Sequence, residues 1–368
     1  MTDVAAGKPI PGLMQSRAAQ WVRANLFSSW LNTAITLVIA YFLIKVLVAV
    51  LSWALFNAVW TVENNNTQAC RAVQGMGACW AVIAEKYRFI LFGTYPYEQQ
   101  WRELAAIVTF IALYGISAMR RFWSLRLLYV WIAGLVLIGV VMWGGVFGLP
   151  VVETDRWGGL VITLILATFG IAVAFPIGVL LALGRRSDMP AIKTLSVVYI
   201  EAIRGVPLVS LLFMASVMLP LFLPEGVNIN KLLRAQVAMI MFASAYLAEV
   251  VRGGLQAIPK GQYEAASALG LSYWQKTGLI ILPQALRLVI PPLVNTFIGL
   301  FKDTSLVVII GIYDLLDAAK TTVNTDPEWR GFGVEAYLFV SIIYFIFCFA
   351  MSKYSQHVEA DLARARRR

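Results

Sequence analysis

The sequence predicts an all-α polytopic membrane protein with about eight transmembrane helices. Sixty per cent of its 368 residues are hydrophobic and only 14% are charged, a balance far from that of soluble globular domains. Three long runs, at 127–152, 157–184 and 205–224, also contain no Asp, Glu, Lys or Arg. Since roughly 18 apolar residues are enough to cross ~30 Å of hydrocarbon, each run is long enough to span a bilayer.

The apolar segments assign the spans in order along the chain. The first is expected to stay in the protein, because it is too long for the apolar region of a signal peptide and lacks a convincing cleavage site. Lys45 within it is expected to snorkel or to face another span. The eight spans are predicted at about 30–53, 104–120, 127–147, 160–183, 195–219, 235–252, 286–306 and 336–353.

Lysine and arginine predict the orientation. With both termini in the cytoplasm, the cytoplasmic segments carry eighteen Lys and Arg residues and the outer segments carry nine, in agreement with the positive-inside rule. The net charge of +10 is therefore explained by membrane orientation. Nucleic-acid binding is not expected, because charge without a soluble basic domain is weak support for it.

The chain is predicted to divide near residue 156. Residues 1–156 form an N-terminal extension with three predicted spans and a periplasmic loop at about 57–103. Residues 157–355 hold the other five spans and every recognisable motif, and residues 356–368 form a basic cytoplasmic tail.

Two features of the outer loop leave alternatives open. Cys70 and Cys79 form a disulfide in one alternative and stay free in the other, and the bond requires that this loop lies outside the cytoplasm. The sequence Asn65-Asn66-Thr67 has the form of a glycosylation site, but it is expected to be a chance match in a polar loop.

A polar loop rich in small residues separates the sixth and seventh spans, and reads EAASALGLSYWQKTGLIILP at 264–283. Pro259 suits the first turn of a helix, and Gly270 can take the left-handed conformation that ends one. Ser272 and Gln275 have the spacing of a capping box. The sequence therefore predicts two short helices on either side of Gly270, along the cytoplasmic face.

The loop has the character of a docking surface. Ala265, Ala266 and Ala268 permit close approach by another protein, and Glu264 offers it a charge. Pro283 is expected to close the loop before the chain re-enters the membrane. An ordinary amphipathic interfacial loop remains the alternative.

The loop resembles the "EAA" loop of ABC-importer permeases of the binding-protein-dependent type I transmembrane fold. Three further segments narrow the resemblance to the polar amino acid uptake family: YIEAIRGVPL at 199–208, AEVVRGG at 248–254 and FKDTSL at 301–306. The added N-terminal spans resemble the larger permease subunit of general L-amino-acid importers (the Aap/Bzt kind). The resemblance assigns coupling to a partner ATPase to Glu264, Ala265, Ala266, Gly270, Ile280, Leu282 and Pro283.

The resemblance implies a function as well as a fold. The chain is expected to be the permease subunit of an ATP-driven importer that moves L-amino acids of a broad polar range across the bacterial inner membrane by alternating access. The implied partners are a cytoplasmic ABC ATPase dimer, a second homologous permease in a heterodimer, a periplasmic amino-acid-binding protein, the amino acid itself and membrane lipid. An assembly subunit that binds no substrate, or a secondary amino acid transporter, are the alternatives.

Missing motifs argue against an enzyme. The sequence has no G-x-x-x-x-G-K-[ST] phosphate loop, so ATP and magnesium are expected on the partner ATPase and no cofactor on this chain. His357 is the single histidine, and no cysteine pair has zinc spacing. No catalytic residue and no metal site are therefore expected.

Two pairs of charges lie near predicted membrane boundaries. Arg204 lies one turn after Glu201 and precedes an apolar run. It is expected either to contact a substrate carboxylate or to form a structural pair with Glu201, since charges at membrane depth are costly and usually paired. Glu249 and Arg252 share a helix face and are expected to brace the structure or assist coupling.

A polar interruption in the seventh apolar run supplies the candidates for the substrate path. Pro291 and Pro292 are expected to bend the helix, and a polar segment follows at 302–305. Irregular polar backbone at membrane depth is tolerated where it lines a cavity, and broken helices can bind zwitterionic ligands. A structural Lys302–Asp303 pair, or helix–helix hydrogen bonding by Asn295 and Thr296, is the alternative. The candidates are Lys302, Asp303, Thr304, Ser305, Asn295 and Arg204.

Overall fold

The computed structural model describes residues 17–63 and 67–366. Within these ranges every secondary-structure element is a helix. The only β-type pairings within them are two isolated bridges, Val59 with Cys79 and Gly159 with Asp314. The all-α prediction is therefore confirmed. Asn65 and Asn66 of the glycosylation-type sequence, and the terminal Arg367 and Arg368, lie outside the described residues.

The chain forms two compact units, Met1–Ala81 and Val82–Arg368. In the first unit, Ser29 begins the long apolar helix α2 by accepting a hydrogen bond from the Asn32 N–H. A π-helical turn, Ser52–Phe56, continues α2. The α-helices of this unit are α1 (Arg17–Leu26), α2 (Trp30–Leu51) and α3 (Gln68–Ala72).

The second unit is a bundle of long helices joined by short ones. Its α-helices are α4 (Ala81–Phe92), α5 (Gln100–Ala118), α6 (Leu125–Trp143), α7 (Gly159–Arg185), α8 (Pro190–Arg204), α9 (Leu208–Phe213), α10 (Leu219–Leu221), α11 (Lys231–Gln256), α12 (Lys260–Ala268), α13 (Tyr273–Gln275), α14 (Leu282–Leu288), α15 (Ile290–Asp303), α16 (Leu315–Thr325) and α17 (Gly333–Arg366). Among the described residues, seven helical stretches are long and apolar enough to cross a membrane, and a bent helix pair makes eight. The predicted number of spans is thus confirmed.

The core of the second unit lies between α7 and α11. A Cβ on Gly178 of α7 would fall 2.8 Å from Leu247 Cβ and 3.1 Å from the Ser244 carbonyl oxygen on α11, so a glycine is required for this close approach. Ile162 and Leu166 of α7 and Leu247 of α11 are fully buried members of the same hydrophobic core. The unbroken apolar run of α7 is therefore explained by burial in protein as well as by contact with lipid.

A buried arginine ties α5 to α6. Arg102 is fully buried, and its guanidinium donates hydrogen bonds to the carbonyl oxygens of Val141, Met142 and Pro150. Three backbone acceptors replace the water that the charge loses, which is the condition for burying a guanidinium.

The span predicted at 195–219 is not a single straight helix, because the structure has a bent pair of helices there. The axis of α8 meets that of the segment Leu208–Leu221 at 101°. Pro207 is the physical reason: it has no N–H to donate, and its ring disfavours the helical conformation at Val206.

The last helix also departs from its predicted length. The span predicted at 336–353 lies within α17, which runs from Gly333 to Arg366. The basic tail from residue 356 is therefore helical as far as Arg366. Asp361 in this part forms an ion pair with Arg120, at 3.1 Å, which joins the end of α17 to the α5–α6 connection.

Candidate functional site: a surface loop, a charge cluster and a helix break

The segment between α11 and α15, residues 257–289, is called here the connecting loop. Its first half is a short helix, α12, that follows Pro259 and ends before Gly270. Gly270 is left-handed, with φ +71°, and the Leu271 N–H reaches the Ala266 carbonyl at 3.3 Å. This hydrogen-bond pattern is that of a helix ended by a left-handed glycine. The first predicted helix and its end at Gly270 are confirmed.

The second half begins as predicted and then differs. The Gln275 N–H donates to Ser272 Oγ, and the Ser272 N–H donates to Gln275 Oε1, so the capping box is confirmed. The helix that starts there is not short: α13, a π-helical stretch at Lys276–Ile281 and α14 follow without a break to Leu288.

Pro283 does not close the loop, contrary to the prediction, because it lies in the first turn of α14. The Leu282 N–H just before it bonds to the carbonyl of Thr277, five residues back. This wider π-type turn gives the proline ring room that a regular α-turn would deny it. The sequence gives no sign of this widening.

Burial divides the predicted coupling residues into two groups. Glu264, Ala265, Gly270 and Pro283 are exposed. The other three face inward: Ala266 is only 1% exposed, and Ile280 and Leu282 pack against the hydrophobic core. These three residues therefore attach the loop to the bundle and do not lie on its outer surface.

The exposed surface of the loop is more apolar than the sequence analysis anticipated. Leu269 is 75% exposed, Trp274 71% and Leu279 73%. Exposed large apolar side chains are typical of contact surfaces for other proteins or for lipid when they form one patch. Their spacing around Gly270 was visible in the sequence, but their exposure depends on the three-dimensional path of the loop.

Hydrogen bonds and close backbone packing fix the loop to α7 and α11. The Tyr263 hydroxyl donates to the Leu255 carbonyl at 3.1 Å, and Arg186 donates to the same hydroxyl at 3.1 Å. A Cβ on Gly254 would lie 2.7 Å from the Ala285 carbonyl oxygen, so α14 runs against the end of α11. A force on the loop would reach both long helices through these contacts.

A cluster of charges lies at the same end of the bundle. Glu249 of α11 is its centre: Oε1 lies 2.7 Å from Arg185 Nη1, and Oε2 lies 2.7 Å from Arg252 Nη2. Arg204 of α8 is more distant, at 3.8 Å. The Glu249 side chain is only 17% exposed, so three guanidinium groups offset the cost of removing its carboxylate from water.

The predicted Glu201–Arg204 pair is not formed. Glu201 pairs with Arg185, at 2.8 Å, and Arg204 faces Glu249 and the ring of Tyr246. The Glu249–Arg252 pair is confirmed. Arg185 is the member that sequence reasoning missed, since its partners lie 16 and 64 residues away along the chain.

The polar segment in the seventh span changes the helix type and leaves no gap, because one helical stretch, Ile290–Ile310, runs through it. α15 ends at Asp303, and a 3₁₀-helix, Thr304–Ile310, continues to Gly311, which is left-handed with φ +68°. The break that precedes α15 is at Val289, just before Pro291 and Pro292. The prolines therefore occupy the first turn of α15, where missing N–H groups cost little.

The side chains at this break differ in what they can offer a ligand. Thr304 is fully buried and Ser305 is half-buried, and their hydroxyls donate to the Phe301 and Lys302 carbonyls, both at 2.8 Å. Lys302 is exposed and Asp303 half-buried. Within the described ranges no ion pair joins Lys302 to Asp303, so the predicted structural pair is not formed.

The remaining path candidate, Asn295, lies on α15 and is exposed. Its neighbour Thr296 donates to the Pro292 carbonyl of the same helix, at 2.9 Å. The interhelical hydrogen bond expected from Thr296 is therefore not made.

At the opposite end of the bundle, Asp314 begins α16. Its carboxylate accepts hydrogen bonds from the Leu316 and Asp317 N–H groups and from the Tyr344 hydroxyl. Because the group is buried, desolvation raises the pKa of Asp314 to about 6 despite these bonds. At the other end of α16, an ion pair with Lys86 at 2.8 Å lowers the pKa of Asp326 below its usual value.

The outer loop of the first unit carries a disulfide. Cys70 and Cys79 are bonded, and both are fully buried. Trp80, next in the chain, donates its indole N–H to the Ala54 carbonyl at 2.7 Å and packs against the Trp53 ring edge-to-face.

Within the part of the chain that the structure describes, no group of three or more His, Cys, Asp or Glu side chains could hold a metal ion.

A family model and a similar known protein both assign this chain to one family. The family model of the binding-protein-dependent transport system inner membrane component matches residues 174–364. The chain is 51% identical to the inner membrane amino-acid ABC transporter permease protein YhdY of Escherichia coli (strain K12), over 94% of this chain and 93% of that protein.

A second relative and a solved structure are similar over different shares of the chain. The glutamate/glutamine/aspartate/asparagine transport system permease protein BztC of Rhodobacter capsulatus is 39% identical, over 100% of this chain and 98% of its own. A crystal structure of an amino acid ABC transporter with histidines has a chain that is 33% identical, with a TM-score of 0.48, and covers 55% of this chain and 92% of that one.

Proposed function

The chain belongs to the family of inner membrane components of binding-protein-dependent transport systems, and we propose that it is a permease subunit of an ATP-driven importer of L-amino acids. The observation that carries this proposal is the 51% identity to an amino-acid ABC transporter permease over 94% of the chain. The added N-terminal helices favour the larger of two different permease subunits, with a homologous chain as its partner.

The connecting loop is the proposed dock for a cytoplasmic ATPase dimer, which would bind ATP and magnesium. Its exposed surface combines Glu264 with the side chains of Leu269 and Trp274, and a contact surface of this kind would exclude water at its centre and leave a charge at its rim. In this proposal the partner ATPase hydrolyses ATP, and the residues of this chain do not take part in that reaction.

The same loop could transmit the movement that alternating access requires. Tyr263 is bonded to the end of α11 and to Arg186, while Ala285 packs directly against Gly254. The arginines around Glu249 join the ends of α7, α8 and α11. A pull on α12 would therefore move several long helices together, since rigid packed elements carry such coupling.

Topology supports the same orientation as the lysine and arginine distribution. Arg120 meets Asp361, and Arg186 meets Tyr263, so the connections expected inside the cell lie in pairs at one end. Lys86 meets Asp326, and Gly159 meets Asp314, at the other. We place the first end in the cytoplasm with both termini, and the second in the periplasm beside a binding protein.

The break at Asp303 is the proposed lining of the substrate path. α15 stops there within an apolar stretch, and the half-buried carboxylate could accept the ammonium group of an amino acid. Lys302 lies beside it to meet a carboxylate.

One observation favours the assembly-subunit alternative. Thr304 is fully buried and its hydroxyl donates to the Phe301 carbonyl, so in this conformation a ligand in the path cannot reach it. A subunit that closes the transport path without holding the substrate would tolerate this arrangement.

Reconstitution tests the function. The full chain would be purified with the subunits that accompany it and placed in proteoliposomes with the binding protein. Uptake of radiolabelled L-amino acids should require internal ATP and should stop when ATP is replaced by a non-hydrolysable analogue. Uptake driven by an ion gradient without ATP would contradict the importer and favour a secondary transporter.

A further inference from the structure

A cleft of about 630 Å³ opens at the end of the bundle opposite the connecting loop. It lies where the Thr154–Arg156 turn, the first turn of α11 and the Gly311 turn meet. Its charged lining consists of Asp155, Lys231 and Arg234, with apolar wall residues such as Trp157. A volume of this size accommodates a small molecule of amino acid size with room for water.

The fold places both cations on one side of this cleft. Asn230 begins α11 by accepting a hydrogen bond from the Leu232 N–H at 2.8 Å, and its amide donates to Thr154 across the cleft. Lys231 and Arg234 follow three residues apart and so share a helix face. Lys231 Nζ donates to the carbonyl of left-handed Gly311, at 3.2 Å.

All three charged groups of the cleft lack an ionic partner. Across residues 17–63 and 67–366, no carboxylate lies within ion-pair distance of Lys231 or Arg234, and Asp155 meets no cation. Arg234 donates one bond to the Ser216 carbonyl, and its Nε is buried without any hydrogen-bond partner. A half-buried cation without an ionic partner is costly, and an anion bound beside the guanidinium would offset its charge.

We infer that this cleft is an outer capture site for zwitterionic amino acids whose side chain carries a carboxylate. The α-carboxylate and the side-chain carboxylate meet Lys231 and Arg234, and Asp155 meets the α-ammonium. Two cations against one anion leave a net positive site, which attracts an anionic amino acid over a neutral one. This inference rests on the proposed importer function and specifies where its substrate first binds.

The position of the cleft fits such a role. Gly311 at its floor ends the 3₁₀-helix that begins at Thr304. Seven residues separate the cleft from Asp303, and at a rise of roughly 2.0 Å per residue they span about 14 Å. The cleft is therefore distinct from the proposed path lining at Asp303 and lies on its outer side along the same segment.

Ligand binding to the full chain in phosphatidylcholine nanodiscs tests the inference, with L-glutamate as the probe and saturation-transfer NMR as the readout. Arg234→Gln and Lys231→Gln should each weaken L-glutamate binding about tenfold, because each removes a charge-assisted hydrogen bond. Arg234→Lys should retain most of the affinity. The matched control is Lys320→Gln, an exposed lysine of α16 that does not line the cleft, which should leave binding unchanged.

A second probe separates the role of Asp155. Glutarate has both carboxylates of L-glutamate but no ammonium group. Asp155→Asn should therefore weaken L-glutamate binding and leave glutarate binding unchanged or tighter. Equal weakening of both probes would overturn the assigned contact, and unchanged L-glutamate binding in Arg234→Gln and Lys231→Gln would overturn the site.

The remaining outcome concerns the binding protein. If the two cation variants bind L-glutamate normally but lose ATPase stimulation by the binding protein, the cleft receives an acidic side chain of that protein, and the capture site is overturned. The importer function itself is judged separately, from ATP-dependent uptake by the wild-type complex, so its failure would be distinguishable from failure of the cleft assignment.

Discussion

At the scale of the single residue, Glu249 joins three helices, because its carboxylate lies beside one arginine from each of them. Glu249→Gln would leave the guanidinium groups of Arg185, Arg204 and Arg252 near one another without their shared anion. We expect a loss of about 1–3 kcal/mol in unfolding free energy, since losing one member of a half-buried ion cluster leaves charges uncompensated. Thermal unfolding of the detergent-solubilised chain measures it.

The matched control is Glu264→Gln, at an exposed carboxylate of the connecting loop. It should leave the melting temperature unchanged. Equal stability of Glu249→Gln and the wild type would mean that the Glu249 carboxylate adds no net free energy of unfolding. Some buried ion pairs are neutral in this way, because the cost of removing the charges from water equals their attraction.

Asp314 predicts a pH dependence of stability. Its folded pKa of about 6 lies above the ordinary value of 3.8, so the folded state binds the proton more tightly than the unfolded state. Stability from this group is present at low pH and is lost as pH rises through the window between those two values. A shift of this size corresponds to about 3 kcal/mol.

Asp314→Asn isolates this contribution, because asparagine still begins the helix with a side-chain oxygen but does not titrate. The melting temperature of the wild type should fall relative to that of the variant as pH rises from about 4 to about 7. Parallel pH profiles would show that the Asp314 carboxyl has no raised pKa in the folded protein.

Single residues also mark how far sequence reasoning reaches. The pair Glu249 and Arg252 was predictable because three residues on one helix fix their proximity. Arg185 was not, since its distance to Glu249 is set by how α7 packs on α11. Likewise, the sequence left Cys70 and Cys79 as either bonded or free, and only the folded loop brings them together.

At the scale of the element, Gly270 controls the shape of the connecting loop. Proline at this position cannot adopt the observed φ of +71°, since its ring fixes φ near −65°. Gly270→Pro should therefore disturb the end of α12 and uncouple ATP hydrolysis from transport, lowering uptake by about tenfold or more. Basal ATPase activity of the reconstituted complex should remain.

Gly261→Ala is the control for this prediction. Gly261 lies in α12, and a Cβ there would meet nothing within 4 Å, so alanine should be tolerated. Wild-type uptake by Gly270→Pro would argue that the loop end takes no part in coupling. Loss of the purified complex would be seen by size-exclusion chromatography and would be scored as a folding defect.

Elements with local signals were predictable and those shaped by packing were not. Pro259, Gly270 and the Ser272–Gln275 box each act within a few residues, and each is confirmed. The π-helical stretch before Pro283 has no local signature, so the long continuous helix from Tyr273 was missed. The 101° bend at Pro207 had a local signal in the proline, but the apolar run around it favoured a single straight span.

At the scale of the whole molecule, the number of spans followed from composition because lipid imposes a uniform demand for length and apolarity. The sequence could not supply the contacts between distant helices, such as those of Arg102 with the carbonyls of Val141 and Met142 in α6. The candidate site shows the same division: its polar residues indicated that the helix changes after Asp303, whereas the inward position of Thr304 depends on how this helix packs.

Transport by the assembled complex measures the role of Asp303. If its carboxylate receives the α-ammonium group of the substrate, Asp303→Asn removes a charge-assisted hydrogen bond and should lower uptake of every L-amino acid carried by about tenfold. Substrate-stimulated ATPase should fall with uptake. Ser305→Ala is the control, since the Ser305 hydroxyl donates only to its own helix at the Lys302 carbonyl. Wild-type rates and selectivity in Asp303→Asn would remove this segment from the substrate path and favour the assembly-subunit alternative, because a chain that closes the path without holding the substrate has no need of the Asp303 charge.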